Sequence, residues 1–459
     1  MLAQVITGQE IVAATQQVGL FELRLDYWQA IDMARVEKLI ASTPLPVILT
    51  LRPMSEGGRY QGSESTRIAW LKKLITLSPA YIDLEHTVAD GVIDELHAIN
   101  PPVKIIRSYH HFTETPLDLT AALAALHHPA VHTYKLATLA NSTLDALRML
   151  VFVQQHDNVV GISMGEYGSC TRILAPVVGG CWTYASENEE SAIAPGLLTI
   201  AEMVRIYRYS HLNLQTKIFG LIGNPVAQSD GHLFHNAYYQ QHASNAVYVK
   251  FRLTKPELAE FFQLIKTLPI YGLSVTMPLK ESVQPFVHQI DTTAEKVGAV
   301  NTLSIKNGKV FATNTDVMGV LQPLEQRTQL KAKSVLVIGA GGAARAVIYA
   351  LRNAGASITI INRDTNKAAL LAEKFDCRSD AKYFDIVINT IPDNQETSAF
   401  IQEIVNENVT SRTLAMDIVY KPRETRFIQH AKIRGAEIIY GEEMFLAQAL
   451  EQAKLFQKN

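Results

Sequence analysis

SVLVIGAGGAARAVIYAL (Ser334–Leu351) runs from a strand into a glycine turn and on into a helix, with nothing between them. SVLVI carries the branched apolar side chains of a buried strand. Gly339, Gly341 and Gly342 then follow at a spacing that lets main-chain amides approach a pyrophosphate, and Ala343 continues into good helix formers. A helix N-terminus at this point offers unpaired N–H groups and the positive end of its dipole to an anion. The next strand, SITII (357–361), ends in Asn362 and Arg363, where an acidic residue would suit a free ribose 2′-hydroxyl. A guanidinium suits a 2′-phosphate instead, with Lys367 as a second positive charge, so the segment predicts an NADP(H)-binding Rossmann domain. Asp364 is out of place in that reading, because its carboxylate would repel the phosphate.

Working outward, further αβ units are expected at FDIVINT (384–390) and LAMDIVY (414–420), and MFLAQALEQAKLF (444–456) closes the chain as a helix. Upstream, KIFGLIGN (217–224), NAVYVKFRL (245–253) and YGLSVTM (271–277) read as strands, with a helix over roughly 231–242. Lys280 and Asp316 lie between this α/β segment and the glycine turn.

Residues 1–212 alternate short β-rich runs with amphipathic stretches, the pattern of parallel strands with crossover helices. Strands are predicted at 21–26, 46–52, 80–85, 103–109, 131–137 and 159–164, with an opening strand inside 2–7 and a closing one near 174–178. Eight strands in this length fit a (β/α)8 barrel, whose chemistry sits at the carboxyl ends of its strands. Polar groups collect there: Glu22 and Arg24, Arg52, Glu85, His110, Lys135 in the sixth strand, and Met164 at the end of the seventh. Strand alternation puts His110 and Ser108 on one face and Tyr109 and His111 on the other. A lysine projecting into an apolar barrel is expected to have a lowered pKa and to attack carbonyls. Each residue alone has an ordinary explanation as surface charge or structural histidine; their common placement is what points to chemistry.

The 459 residues exceed what one core supports, so two or three domains are expected. Lys plus Arg (42) nearly balance Asp plus Glu (44), which favours small-molecule substrates over nucleic acid or membrane partners. No apolar run approaches the ~18 residues of a membrane span, and MLAQVITGQE lacks a basic leader, so a cytoplasmic protein is expected. Cys170, Cys181 and Cys377 have neither zinc-site spacing nor an even count, so neither a metal nor a disulfide framework is expected. Nothing in the sequence addresses oligomeric state.

The stretches FELRLD, TLRPMSEGG, SYHHFTETP, YKLAT, SMGEYGSCTR and APG resemble type I 3-dehydroquinate dehydratase across residues 1–212. The resemblance implies that Lys135 forms an imine with the substrate ketone and His110 serves as base and acid. It further implies that Glu56 positions His110, that Arg172 holds the carboxylate, that Glu22, Arg24 and Arg52 order the ring hydroxyls, and that Met164 lines the pocket. FGLIGNPVAQS, GLSVTMPLK, VGAVNTL, TNTDVMG, VLVIGAGGAARA, MDIVYKPRETR and GEEMFLAQALEQ resemble shikimate dehydrogenase over 217–459. There the resemblance implies a catalytic Lys280–Asp316 pair, with Ser229, Thr276, Asn301, Tyr420 and Gln448 around the substrate. Five positions depart from these patterns. His111 stands in place of Asp; Ile193, Ala194, Pro195, Gly196, Leu197 replace a Ser-Ala-Pro-Gly-Gln loop; Gly231 replaces a second serine; and Ser274 replaces a common Asn.

The expected architecture is therefore α/β throughout. A (β/α)8 TIM barrel (1–212) precedes a shikimate dehydrogenase half, with an α/β substrate domain (217–320 and 441–459) and a Rossmann NADP domain (321–440). Two catalytic sets in series imply two consecutive steps: dehydration of 3-dehydroquinate, then reduction of 3-dehydroshikimate with NADPH. The rival readings keep only the dehydrogenase half active, or retain both folds as a metabolite-sensing regulator.

Overall fold

The computed structural model describes every residue except 9, 11–16, 191–193, 195, 378–380 and 459. Ile193 and Pro195 of the altered loop thus lie outside the described residues. The chain divides into two compact units, one of Met1–Ile218, Tyr239–Leu253 and Ala259–Pro269, the other of Phe219–Tyr238, Thr254–Leu258 and Ile270–Asn459.

In the first unit, eight strands alternate with helices: β1 (Leu2–Ile6), β2 (Leu20–Arg24), β3 (Val47–Thr50), β4 (Tyr81–Glu85), β5 (Lys104–His111), β6 (Val131–Leu139), β7 (Val159–Met164) and β8 (Thr183–Ala185). All pairings are parallel, in the order β7-β6-β5-β4-β3-β2-β1-β8. The Cys181 N–H donates to Val159 O at 3.0 Å, bringing the approach to β8 against β7 and nearly closing the barrel. The eighth strand is not where the sequence placed it. Residues 174–178 finish a helix (Ser169–Leu174) and a 3-10 turn (Ala175–Val177) containing Pro176, whose ring removes a ladder donor. The strand is instead the short TYA at 183–185. Trp182 and Tyr184 send their side chains into the barrel interior beside Tyr81, Ile106 and Ile162.

A six-stranded sheet follows, β10-β9-β11-β13-β14-β12, from β9 (Lys217–Gly223), β10 (Ala246–Arg252), β11 (Ile270–Val275), β12 (Gln289–Ile290), β13 (Thr302–Lys306) and β14 (Lys309–Thr313). β13 and β14 form a hairpin whose turn, Asn307 and Gly308, has both φ values positive (51° and 72°), as a tight right-twisting turn demands.

The Rossmann sheet contains β15 (Ser334–Ile338), β16 (Ser357–Ile361), β17 (Ile386–Asn389), β18 (Leu414–Asp417) and β19 (Glu437–Ile439), all parallel, in the order β16-β15-β17-β18-β19. The order reverses beside β15, so the crevice at its carboxyl end is the natural ligand position. The helix Gly342–Asn353 packs Ala346, Val347, Ala350 and Leu351 onto this sheet, leaving its N-terminus at that crevice. Gly339 has φ +117°, and a Cβ there would lie 2.3 Å from Thr390 Oγ1 and 2.9 Å from Ile391 Cγ2. Gly339→Ala is expected to cost roughly 2–4 kcal/mol of unfolding free energy, from left-handed strain plus the clash. Denaturant unfolding checks this; a change within about 0.5 kcal/mol would mean the turn tolerates a side chain.

Candidate active sites

At the carboxyl ends of the barrel strands, charges are buried and paired. Lys135 on β6 is 6% exposed. Its Nζ donates to Asp83 Oδ2 at 3.0 Å and lies 3.6 Å from Glu22 Oε1. The ring of Tyr184 faces the same nitrogen, with its centroid 4.4 Å away. Arg52 donates to Asp83 Oδ2, Glu85 Oε1 and Ser108 Oγ, each at 2.8 Å, and Ser108 Oγ donates to Asp83 Oδ1 at 2.6 Å. Arg67, fully buried, holds the other oxygen of Glu85 at 2.6 Å. Arg24 is gripped by Asp26 through two bonds, at 2.9 and 2.8 Å. Thr50 Oγ1 donates to Glu22 Oε1 at 2.9 Å.

These pairs decide protonation. Burial alone would lower the Lys135 pKa, as the sequence suggested. Asp83, then Tyr184 and Glu22, outweigh it and hold the ammonium form above the ordinary lysine range. The expectation of a lowered lysine is therefore corrected: it rests on an apolar barrel, whereas the lysine meets a carboxylate. Burial likewise opposes the charge of Asp83, but Arg52 and Lys135 pull it well below the carboxylate range. His110 is lowered well below an ordinary histidine by burial, with Arg52 and Lys135 adding to the effect. It is a neutral imidazole at neutral pH, the state a base requires. Glu56 Oε2 lies 3.5 Å from His110 Nδ1, and burial pushes this carboxyl up to about 7.

Arg172 is 3% exposed, and among the described residues no carboxylate lies within ion-pair distance of it. Burial lowers it to about 10, and its buried Nε has no hydrogen-bond partner. A buried guanidinium without an anion is a receptor for one. Met164 is buried at the end of β7 and belongs to the same interior cluster as Tyr184, against which Leu197 also packs. His111 faces away from this group, and its Nδ1 accepts from Glu114 N at 3.3 Å.

In the second unit, Lys280 and Asp316 form a hydrogen-bonded ion pair. Asp316 begins the helix Asp316–Glu325, where the macrodipole favours its negative charge. Asn301 Nδ2 donates to Asp316 Oδ1 at 2.8 Å, while Thr315 N donates to Asn301 Oδ1 at 2.8 Å. Gln448 Oε1 is 3.5 Å from both Asn301 Nδ2 and Thr315 Oγ1. Thr276 and Ser229 follow the neighbouring strands β11 and β9. Tyr420 stacks on Phe445, and its hydroxyl accepts from Asp230 N at 3.2 Å, next to Ser229.

The glycine turn fits a dinucleotide. A Cβ at Gly341 would point into open space, and one at Gly342 would sit 3.6 Å from Lys280 Cβ, so the helix N-terminus opens directly beside the lysine. Arg363 and Lys367 are exposed at the end of β16, beside Asn362. Asp364 accepts from Lys367 N at 3.1 Å as the N-cap of the helix Thr365–Lys374, and lies 3.6 Å from Lys367 Nζ. Its carboxylate is occupied in capping, which gives an acid at this position a structural role.

Sequence reasoning passed over Asp83 and Tyr184. Asp83 shares a strand face with Glu85, so the alternation applied to β5 would have found it. Tyr184 was hidden by the misplaced eighth strand. Among the described residues, no group of three or more His, Cys, Asp or Glu side chains is arranged to hold a metal ion.

Because Asp83 favours the ammonium and burial favours the amine, Asp83→Asn should move the Lys135 titration downward by about one unit or more (~1.4 kcal/mol). The pH dependence of Lys135 carbamylation by cyanate, mapped by mass spectrometry, reads this. A titration that stays put would remove Asp83 as the group that holds the charge.

Three family models meet the chain in order: type I 3-dehydroquinase over residues 6–214, shikimate dehydrogenase substrate-binding domain over 221–303, and shikimate/quinate 5-dehydrogenase over 323–424. Shikimate biosynthesis protein AroDE of Chlamydia muridarum is 33% identical over 99% of this chain and 94% of that protein. The chloroplastic bifunctional 3-dehydroquinate dehydratase/shikimate dehydrogenase of Arabidopsis thaliana is 32% identical over 95% of this chain and 77% of that protein. Among solved structures, shikimate dehydrogenase from Aquifex aeolicus matches 54% of this chain and 95% of its own, at 35% identity and a TM-score of 0.50. A shikimate dehydrogenase solved in complex with NADP+ matches 54% and 92%, at 33% identity and a TM-score of 0.51. Family matches covering the barrel and both parts of the dehydrogenase half, and relatives aligned along nearly the whole chain, place it in the family of bifunctional 3-dehydroquinate dehydratase/shikimate dehydrogenases, a lyase and an NADP-dependent oxidoreductase of the shikimate pathway in one polypeptide.

Proposed function

We propose that Lys135 carries the dehydratase reaction as an imine with the C3 ketone of 3-dehydroquinate, and that Lys280 and Asp316 carry the reduction of 3-dehydroshikimate. The observation behind the first assignment is the enclosed lysine flanked by Asp83, Glu22 and a neutral His110. The amine adds to the ketone after passing a proton away, and water leaves as the iminium forms. His110 Nε2 then takes the C2 proton, and the C–H electron pair flows into the iminium. His110 returns the proton to the departing C1 hydroxyl, a C1–C2 double bond forms, and hydrolysis frees the lysine. Arg172 receives the substrate carboxylate; Glu22, Arg24 and Arg52 order the ring hydroxyls, with the arginines held in place by Asp26, Asp83 and Glu85. Met164 packs on the ring.

In the second half, NADPH supplies the hydride when bound. Lys280 gives its proton to the carbonyl oxygen, and Asp316, fixed by Asn301, holds the lysine in line. Ser229, Thr276, Tyr420 and Gln448 surround the ring's carboxylate and hydroxyls together with Asn301. Gly339, Gly341, Gly342 and Ala343 would hold the pyrophosphate, and Asn362, Arg363 and Lys367 the adenosine 2′-phosphate. We assign the barrel to residues 1–212, the substrate domain to 217–320 and 441–459, and the nucleotide domain to 321–440. Three free cysteines accord with a reducing compartment such as the cytoplasm.

Lys135→Ala should abolish enone formation from dehydroquinate while shikimate oxidation continues, and Lys280→Ala the reverse. Borohydride added with dehydroquinate should leave a mass adduct on Lys135, and dehydration surviving Lys135→Ala would sink the imine. Arg363→Ala is expected to raise the KM for NADPH roughly tenfold, equivalent to about 1.4 kcal/mol, with little effect on NADH. Equal losses for both nucleotides would show that Arg363 does not read the 2′-phosphate.

A further inference from the structure

Tyr184 sends its side chain from β8 into the barrel, where it is 4% exposed, and its hydroxyl is buried without a hydrogen-bond partner among the described residues. The indole N–H of Trp182, two residues back on the same strand face, approaches the phenol oxygen but likewise completes no hydrogen bond. Glu22 and Asp83 act on the phenol by charge, yet neither accepts its proton: Glu22 is engaged by Thr50, and Asp83 by Arg52, Ser108 and Lys135. Among the described residues, Tyr184 is also the one titratable side chain that acts on Arg172 by charge. Arg172 is 3% exposed, and its buried Nε has no partner either. A phenol and a guanidinium, both lacking partners, therefore adjoin inside the barrel beside Lys135, whose Nζ lies 4.4 Å from the Tyr184 ring centroid.

A buried hydroxyl left unpaired is costly unless a bound molecule supplies the partner. Arg172 offers N–H groups and positive charge, and the phenol offers a proton, so the partner these two groups share is an anion. Burial pushes the phenol up to about 12, which keeps it a donor at neutral pH. We infer that the Tyr184 hydroxyl donates to the substrate carboxylate alongside Arg172 and sets the preference of the barrel for a carboxylate-bearing ring. The inference rests on the reading of Arg172 as the carboxylate receptor. Arg172 supplies the charge, and Tyr184 supplies a directed O–H···O bond. The Trp182 N–H then completes its bond to the phenol oxygen, leaving the phenol proton to the ligand. With C3 joined to Lys135, the carboxylate-bearing C1 is only two bonds away, within reach of a ring that lines the lysine. The bond makes good a contact missing from the loop, since Leu197, packed against the same cluster, stands where the family pattern has glutamine.

The test compares the wild type with Tyr184→Phe, which keeps the ring and its contact with Lys135 and removes only the oxygen. Enone formation from 3-dehydroquinate by the full-length protein is followed without nucleotide, so that only the barrel turns over. Two inhibitors are titrated: quinate, which has an alcohol in place of the ketone and so forms no imine, and the cyclohexanetetrol that carries hydrogen in place of its carboxylate. Tyr184→Phe should raise the KM for 3-dehydroquinate and the Ki of quinate about tenfold or more, as loss of a hydrogen bond to a charged group does. The Ki of the tetrol should stay within about twofold and kcat should hardly change, the pattern of a lost binding contact. The variant should melt no lower than the wild type, because the oxygen it lacks has no partner in the resting protein. Equal weakening of both inhibitors, weakening of neither, a loss confined to kcat, or a lowered melting temperature would each overturn the assignment. Arg172→Gln, measured in parallel, separates the two claims. If it loses the preference for quinate over the tetrol while Tyr184→Phe keeps it, the guanidinium alone reads the carboxylate and the role of the hydroxyl is overturned. If both variants keep the preference, the assignment of Arg172 falls, and this inference with it.

Discussion

Arg52 sits where charge would otherwise be intolerable. It is 3% exposed, yet its guanidinium donates at once to Asp83, Glu85 and Ser108. Removing it would leave two carboxylates buried at the end of β4 with weakened compensation, a loss of the kind that costs about 3–5 kcal/mol where buried pairs are broken. Everything chemical in the barrel hangs on this grip. It keeps Asp83 ionised, Asp83 keeps Lys135 charged and oriented, and burial, with the two cations adding to it, keeps His110 neutral. A lysine and a histidine in the same chamber thus hold opposite protonation states, the lysine because a carboxylate outweighs its burial and the histidine because burial and the neighbouring cations act together. A lysine poised as ammonium is stored safely in the resting protein. On the proposed imine mechanism, the proton to be lost on meeting a ketone starts on a nitrogen 3.0 Å from a carboxylate.

The second site adds backbone dipoles to its ion pair. Asp316 takes the first position of a helix, where aligned peptide dipoles favour a carboxylate, and Asn301 holds its other oxygen. The facing helix N-terminus, Gly342–Asn353, presents its positive end beside the stem of Lys280. Two helix starts and one ion pair therefore meet around a single lysine. The long C-terminal helix supports them: Gln452 donates to Asn301 O and Thr302 Oγ1 and accepts from Ser274 Oγ. Ser274, one of the departures from the family pattern, is thus part of the frame behind Asn301.

Much of this was legible in the sequence because strand ends and glycine turns are local signals. SVLVIGAGG could be read without knowing anything outside it, and the polar residues at β2, β3, β5 and β6 announce themselves by position. What escaped depends on partners distant in sequence. Asp83 and Lys135 are 52 residues apart, so the sign of the lysine's shift could not follow from its own strand. The eighth strand was missed because TYA is three residues long, while an apolar run containing Pro176 looked more like a strand than it was. The hairpin of β13 and β14 was available in Asn307-Gly308 between alternating residues, a turn signal that went unread. Asp364 illustrates the opposite case: a residue that seemed to contradict the cofactor is explained once its helix is seen to begin there.

The altered loop of the barrel bears on how the dehydratase holds its substrate. Leu197 stands where the family pattern has a polar residue, and it packs on the interior cluster that includes Met164 and Tyr184. It adds apolar cover at the expense of a hydrogen bond. Gly196 has φ +72°, and a Cβ there would come within 2.3 Å of Gly165 O, so this part of the loop lies tightly against the end of β7. Binding energy must then come from groups already desolvated in the resting protein. Arg172, buried with no carboxylate partner among the described residues, is such a group, since pairing it with an anion offsets a desolvation already present. A carboxylate met by a waiting guanidinium beneath an apolar cover gains more from the charge-assisted bond than one shared with water, because the local dielectric is lower. If Arg172 receives the substrate carboxylate as proposed, the loop's missing hydroxyl and amide take away less than the guanidinium on the helix Ser169–Leu174, packed behind β7, supplies.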